Sequence, residues 1–197
     1  MDLLRREFFV SNDRWVAVPL GADDAPALQD FLDANPLYSQ IVNGRPFRPG
    51  EALEEITDVP PFAHRQAHAV AVLDRASGAW QGFVSLVDGL IDPSVCHIGL
   101  FLVGSAWHGT GLATEVYTAV EQRARTSGAR WMRLGVVVGN VRAERFWRRM
   151  GFEEVRQRHG QPYEGPSTSV RVLFKPLRAA GRSEYLACVE RDRPDSP

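Results

Sequence analysis

Apolar residues recur along the chain at two periods, and the switch between them outlines the elements. Trp15–Leu20, His68–Leu73, Gln81–Val87 and Val95–Val103 read as strands, short and rich in Val, Leu and Phe, bounded by Asp, Gly and Pro. Asp74–Gly78 is a hairpin-type connection between the second and third of these. Ala25–Ala34 reads as a helix with Leu28, Phe31 and Leu32 on one face and a stop at Asn35-Pro36. Pro49–Thr57 reads as a second helix with Leu53 and Ile56 inward, broken by Asp58-Val59-Pro60-Pro61. The stretch between them, Leu37–Pro49, reads as a loop, as does Asp88–Ser94.

The second half repeats the alternation. A helix follows Gly109-Thr110-Gly111 and runs to about Thr126, with Gly128 as its stop. Leu112, Val116 and Val120, with Ala113, Tyr117 and Ala124 beside them, form a core-facing stripe. Trp131–Val138 is a strand apolar on both faces. Asn140 is placed to cap a helix whose Ala143, Phe146, Trp147 and Met150 share one side, ended by Gly151. Glu153–Arg158 and Ser169–Lys175 alternate as antiparallel strands around a Gly/Pro-rich loop. Met1–Arg14 reads as an arm, and Arg191–Pro197 as disordered. Strands around helices of this kind make a mixed α/β sandwich.

With 197 residues the chain is one domain with trimmings, taken as 1–176 followed by an extension over 177–197. A net charge of −1 gives no electrostatic case for nucleic acid or for an anionic membrane. The N-terminus lacks the apolar core of a signal peptide, and no apolar run approaches a membrane span. Cys96 and Cys188 stand at no metal-ligand spacing, so neither a disulfide scaffold nor a metal site is expected. A cytoplasmic enzyme fits these bounds.

The candidate chemistry lies in Ile98–Ala113. A strand enters a glycine turn that opens directly into a helix, whose first amides lack internal partners and whose dipole favours an anion. His108–Ala113 is therefore a candidate cradle for phosphate or pyrophosphate. A P-loop string does not occur, and Thr114 stands where a dinucleotide fingerprint needs Gly or Ala. Taken alone, the turn could equally be one that merely starts a helix.

The surroundings shift that balance. His108-Gly109-Thr110-Gly111-Leu112-Ala113 resembles the pyrophosphate loop [QR]-x-x-G-x-[GA] of the GNAT superfamily, the Gcn5-related N-acetyltransferases, with His108 in the Gln/Arg position. Asn140, Ala143, Phe146, Trp147, Gly151 and Phe152 match that family's second signature, N-x-x-A-x-x-F-[YW]-x-x-x-G-F. The resemblance spans roughly Ala69 to Lys175.

It implies an α+β GNAT fold: a mostly antiparallel twisted sheet in which two central parallel strands splay apart in a V, flanked by helices. It implies acetyl-CoA as co-substrate and no metal. The pyrophosphate would lie on His108–Ala113 and the pantetheine along Phe101, Leu102 and Val103, with an oxyanion donor near Leu102. Asn140, Phe146 and Trp147 would border the cofactor, and Arg142, Arg145 and Arg149 would either meet its 3′-phosphate or form a solvated face. His97 is the candidate base, since family members that use a carboxylate base carry it on this strand; the alternative is a hydrogen-bonded structural His. Trp147 stands where the family often has a Tyr that protonates the departing thiolate, and an indole cannot do so. Residues 37–49, Tyr38 foremost, and 88–94 would select the acceptor, with Asp88 and Asp92 as hints of a polyamine. The expected partner is a small-molecule or peptide amine, with no nucleic acid and no membrane, and a homodimer is one candidate assembly. The competing readings are a catalytically silent acyl-CoA-binding module and a nucleotide-binding domain.

Overall fold

A computed structural model describes residues 3–160 and 169–196. Eight strands form one sheet: β1 (Val10–Ser11), β2 (Trp15–Pro19), β3 (Ala67–Asp74), β4 (Trp80–Asp88), β5 (Val95–Val103), β6 (Trp131–Val137), β7 (Glu153–Arg158) and β8 (Val170–Pro176). Their order across the sheet is β1-β2-β3-β4-β5-β6-β8-β7. Every neighbouring pair is antiparallel except β5 and β6, which run parallel. Six helices, α1 (Ala25–Asp33), α2 (Pro36–Asn43), α3 (Glu51–Thr57), α4 (Leu112–Thr126), α5 (Val141–Arg149) and α6 (Arg182–Cys188), cover the two faces. This is the mixed α+β architecture the sequence implies.

The faces are organised by a bulge in β5. Ser85 pairs with Leu100 but Leu86 pairs with Ile98, so Gly99 is the extra residue. A Cβ at Gly99 would lie 2.9 Å from Ser85 Oγ, which leaves no room for a side chain. The inserted residue reverses the parity of the strand. Before it, Cys96 and Ile98 join the core under α4; after it, Phe101 and Val103 do. Leu100 and Leu102 then turn to the other face, against Leu28, Phe31 and Leu32 of α1 and Ala52 of α3. On the α4 side the stripe of Leu112, Val116, Tyr117, Val120 and Ala124 is buried as its spacing predicts. Full burial of aliphatic side chains such as Val116 and Val120 stabilises by roughly 1.5–3 kcal/mol each.

Three expectations are corrected. Leu37–Pro49 is not all loop, because Pro36 starts α2 instead of stopping the chain; proline is at home at the first helical position, where its missing N–H costs nothing. Asn35 closes α1 by donating Nδ2–H to Phe31 O (2.8 Å), and its Oδ1 accepts the Ser105 N–H (2.8 Å), fastening the α1–α2 corner to the end of β5. Leu53 of α3 is exposed, whereas Ile56 packs inward. The third concerns the C-terminus. In place of disorder from Arg191, a 3-10 turn at Glu190–Asp192 follows α6 and buries Asp192 completely, while Arg193 Nε donates to Leu186 O (2.9 Å) and Ser196 O accepts from Arg156 (2.8 Å). The loop expected between Arg158 and Ser169 falls largely outside the described residues, as do Met1, Asp2 and Pro197.

Among the described residues no helix is long and apolar enough to cross a membrane, and no cluster of His, Cys, Asp and Glu could hold a metal ion.

Candidate active site

β5 and β6 pair from Val95↔Trp131 to Ile98↔Leu134 and then separate, although both strands continue, to Val103 and Val137. The gap widens into a cavity of about 970 Å³. Ile98–Val103 and Leu134–Val137 line it, together with residues of α2, α3 and α5. Gly104 donates its N–H to Gln81 O (2.8 Å), so the antiparallel alternation directs Leu102 toward Phe83 and leaves the polar groups of Phe101 and Val103 facing the gap. The N–H groups on the gap side thus belong to Phe101 and Val103, flanking Leu102, and the Val103 carbonyl accepts from His108.

The glycine turn stands at one mouth of this cavity. Gly109 and Gly111 have φ of +80° and +90°, a region costly for any other residue, and Gly111 is the residue that launches α4. Among the described residues, the amides of Gly109, Gly111 and Ala113 have no backbone acceptor, as the start of a helix requires. His108 braces the turn: its Nε2–H donates to Val103 O (2.9 Å) and its Nδ1 accepts from Arg142 Nη1 (2.7 Å), which also brings a guanidinium to the rim. The acid in the first turn of α4, Glu115, is held by Trp15 Nε1 (3.2 Å), Asn12 and Arg14. Asn140 Oδ1 accepts the Ala143 N–H (3.2 Å), capping α5 while also lining the cavity.

Residues of α2 and α3 border the same cavity. Tyr38 lines it, its ring stacked on Phe47 at 6.2 Å and an interplanar angle of 4°. Two carboxylates of α3 also reach the cavity. Glu51 is held ionised despite its burial by the Arg48 N–H (2.7 Å) and Arg45 (3.0 Å). Glu55 has no such cation. Burial first, and the nearby Glu51 charge second, push its carboxyl up to about 7, against a hydrogen bond from the Ser85 hydroxyl that favours the charged form.

A family model described as the Acetyltransferase (GNAT) family matches residues 36–152. The chain belongs to that family. Its co-substrate is accordingly acetyl-CoA. Solved GNAT structures share the fold. A Salmonella typhimurium acetyl transferase that modifies the N-terminal serine of a 50S ribosomal subunit protein superposes with a TM-score of 0.72 at 14% identity, covering 87% of this chain and all (100%) of its own. An acetyltransferase from Thermus thermophilus gives 0.65 at 20% identity, with 82% and 96% covered. The Vibrio cholerae spermidine N-acetyltransferase, solved with CoA and spermine, gives 0.63 at 19% identity, with 89% and 99% covered. No curated protein matches the chain in sequence.

Within this GNAT frame the predicted site residues divide. His108, Gly109, Gly111, Ala113, Phe101–Val103, Asn140, Phe146, Trp147 and Tyr38 are brought together around one cavity, with Leu112 buried just behind the turn; Thr110 does not line it, and its hydroxyl donates to Trp107 O (2.8 Å). Arg142 and Arg149 reach it, whereas Arg145 does not. Trp147 is 6% exposed and meets Phe101, Tyr117 and Phe152 edge-on at 5.2–5.4 Å, so it is a packed wall of the cleft.

Two expectations fail here. His97 lies on the paired side of the bulge and does not line the cavity. Its Nδ1 sits 3.1 Å from Arg133 O, and burial, with the Arg133 guanidinium next, pushes its pKa down to about 3. A ring so placed is neutral throughout the physiological range and cannot collect a proton from an acceptor. The loop 88–94 also misses the cavity: Asp88 is paired with Arg123 (3.0 Å) and His68 (3.1 Å), and Asp92 accepts from the Ser94 N–H and hydroxyl. Glu55 is the ionisable group that sequence reading overlooked. Its one signal is indirect: Ser85 is a lone hydroxyl within the apolar run Gly82–Val87.

Proposed function

We propose that this acetyltransferase moves an acetyl group from acetyl-CoA to the primary amine of a small molecule or peptide, by direct attack with both substrates bound. The carrying observation is the cavity between the separated ends of β5 and β6, lined both by the glycine turn, where the amides of Gly109, Gly111 and Ala113 have no backbone acceptor, and by α2 and α3. The glycine turn suits a diphosphate, the residues of α2 and α3 suit an amine, and the parted strands suit the thioester arm.

In this reading the amides and the α4 dipole hold the pyrophosphate, with Arg142 adding charge at the rim. The gap-facing backbone of Phe101 and Val103 pairs with the pantetheine amides as an extra strand would, and an N–H at this edge receives the carbonyl oxygen as it gains charge. Trp147 and Phe146 close the flank against water. Acetyl-CoA supplies an activated acyl group, so the protein's task is to position the two reactants and handle protons. Tyr38 and Phe47 offer the acceptor a flat apolar wall.

The test is release of free thiol from acetyl-CoA against a panel of polyamines, small primary amines and peptides with free N-termini. Acceptor-dependent release supports the proposal. Firm CoA binding without turnover on any amine replaces it with a silent acyl-CoA-binding module, which the absence of a Tyr at Trp147 would suit. Firmer binding of ATP than of CoA replaces both readings.

A further inference from the structure

We infer that Glu55 of α3 is the general base of this enzyme, taking a proton from the acceptor ammonium at the point where β5 and β6 part, with Ser85 of β4 as its positioning residue. This rests on the acetyltransferase reading above and assigns the proton-accepting role away from β5, to a helix on the acceptor side.

The geometry begins with the bulge. Because Gly99 is extra, the Leu100 N–H meets the Ser85 hydroxyl oxygen at 2.8 Å. That oxygen therefore accepts from the backbone, and its own proton is free to be donated to the Glu55 carboxylate. The Ser85 hydroxyl is thus held by β5 at the bulge, and its proton favours the charged form of Glu55. Gly99 has no side chain to stand in the way. Glu55 lines the cavity together with Gly99, Leu100 and Tyr38, so its carboxylate has access to whatever occupies that part of it.

The surroundings suit a base. The charged groups around Glu55 on its own helix are Glu51, Glu54 and Asp58, all acidic. Glu51 and Glu54 are paired with Arg45 and Arg48, whose guanidinium groups are thereby engaged elsewhere. From β4 it meets the neutral Ser85, and the facing residues of β5 and α2 carry no charge. A carboxylate in this setting is displaced toward neutrality, where it is both substantially ionised and basic enough to deprotonate an amine held next to it. The same acidic setting favours an acceptor that arrives as a cation.

The proton balance closes without a second catalytic group. The Glu55 carboxylate removes one proton from R–NH3+. The neutral nitrogen forms its bond to the acetyl carbon and the C–S bond breaks. The nitrogen's surplus proton leaves with the thiolate as CoA–SH, and the Glu55 carboxyl returns its proton to solvent. This accounts for the cleft's lack of a Tyr at position 147, since the leaving group takes its proton from the nucleophile.

The experiment is the pH dependence of kcat/KM for the wild type, Glu55→Gln and Ser85→Ala, with CoA affinity measured by calorimetry on each. The wild-type rate should fall on the acid side with a midpoint near 7. Glu55→Gln should lose about a hundredfold or more in kcat, lose that acid limb, and bind CoA as the wild type does. Ser85→Ala should keep the limb but move it to higher pH, because the hydrogen bond that favours the ionised carboxylate is gone. Retention of the rate within threefold in Glu55→Gln, or an unchanged limb, overturns the assignment while leaving the acetyltransferase reading intact. A wild type that binds CoA but acetylates no amine removes the reading itself, and the base with it.

Discussion

The two halves of β5 belong to different chemical worlds. From Val95 to Ile98 the strand is locked to β6, and behind it Arg133 donates to Asp192 through Nε and Nη2 at 2.7 and 2.9 Å, with Tyr185 OH on the same carboxylate at 2.6 Å. From Gly99 to Val103 it has no partner on that side, and its free edge faces a cavity. One residue of insertion separates a region built to stay shut from a region built to accept a ligand. Two titratable groups show the same division: His97 is sealed against Arg133, whereas Glu55 lines the cleft.

The largest expected effect lies in the closed half. Asp192→Ala removes the acceptor shared by Arg133, Arg158 and Tyr185 and strands a buried guanidinium. Loss of roughly 3–5 kcal/mol in urea unfolding is expected. A loss under about 1 kcal/mol would mean that the C-terminal segment does not hold the base of the splay.

Next comes the cradle of the open half. Gly111→Val forces a β-branched residue to φ +90°, although space for a Cβ exists, with Glu115 Oε1 as the nearest atom at 3.9 Å. CoA affinity should weaken by about tenfold or more, since such backbone strain costs on the order of 1–2 kcal/mol and the loop must relax to relieve it. Unaltered CoA affinity by calorimetry would separate the glycine turn from ligand binding.

Stability against pH should then distinguish the two groups by sign. As pH falls below the ordinary His value of 6.5, the unfolded chain protonates His97 while the folded chain resists until about pH 3, so stability is lost on the acid side. For Glu55 the unfolded carboxyl ionises above its ordinary 4.5 while the folded one waits until about 7, so stability is lost as pH rises between them. His97→Gln should therefore gain on the order of 1 kcal/mol near pH 5, and Glu55→Gln a similar amount near pH 8, by chemical denaturation. Gains on the same side of neutrality would contradict the division. Smallest of all, His97→Gln should change kcat by less than about twofold at neutral pH.

What the sequence disclosed, and what it hid, follows the same boundary. The strand–turn–helix of Ile98–Ala113 and the Asn140 cap were legible because each is set by neighbours in the chain. The α4 stripe was legible for the same reason, as was the mixed sheet. The proposed base was not, because its surroundings are assembled from elements far apart in the chain. The resemblance points to the strand that carries His97, but a family pattern says nothing of the pairing with β6 and the Arg133 contact that enclose this ring, nor of the insertion at Gly99 that follows it. Glu55 reads as one of several acids on a short polar helix until α3 is laid against β4. Asn35-Pro36 reads as a full stop until the next helix is seen to begin at the proline. The C-terminal tail looks solvated because its anchor, Asp192, is polar; what buries it is Arg133, far away in sequence.

Amide hydrogen exchange with and without CoA tests the central division most directly. Protection should appear at Phe101, Val103, Gly109, Gly111 and Ala113, while Val95–Ile98, already paired, stays unchanged. Uniform protection along β5, or none at the glycine turn, would contradict the claim that the freed end of this strand and the turn beyond it form the cofactor's seat.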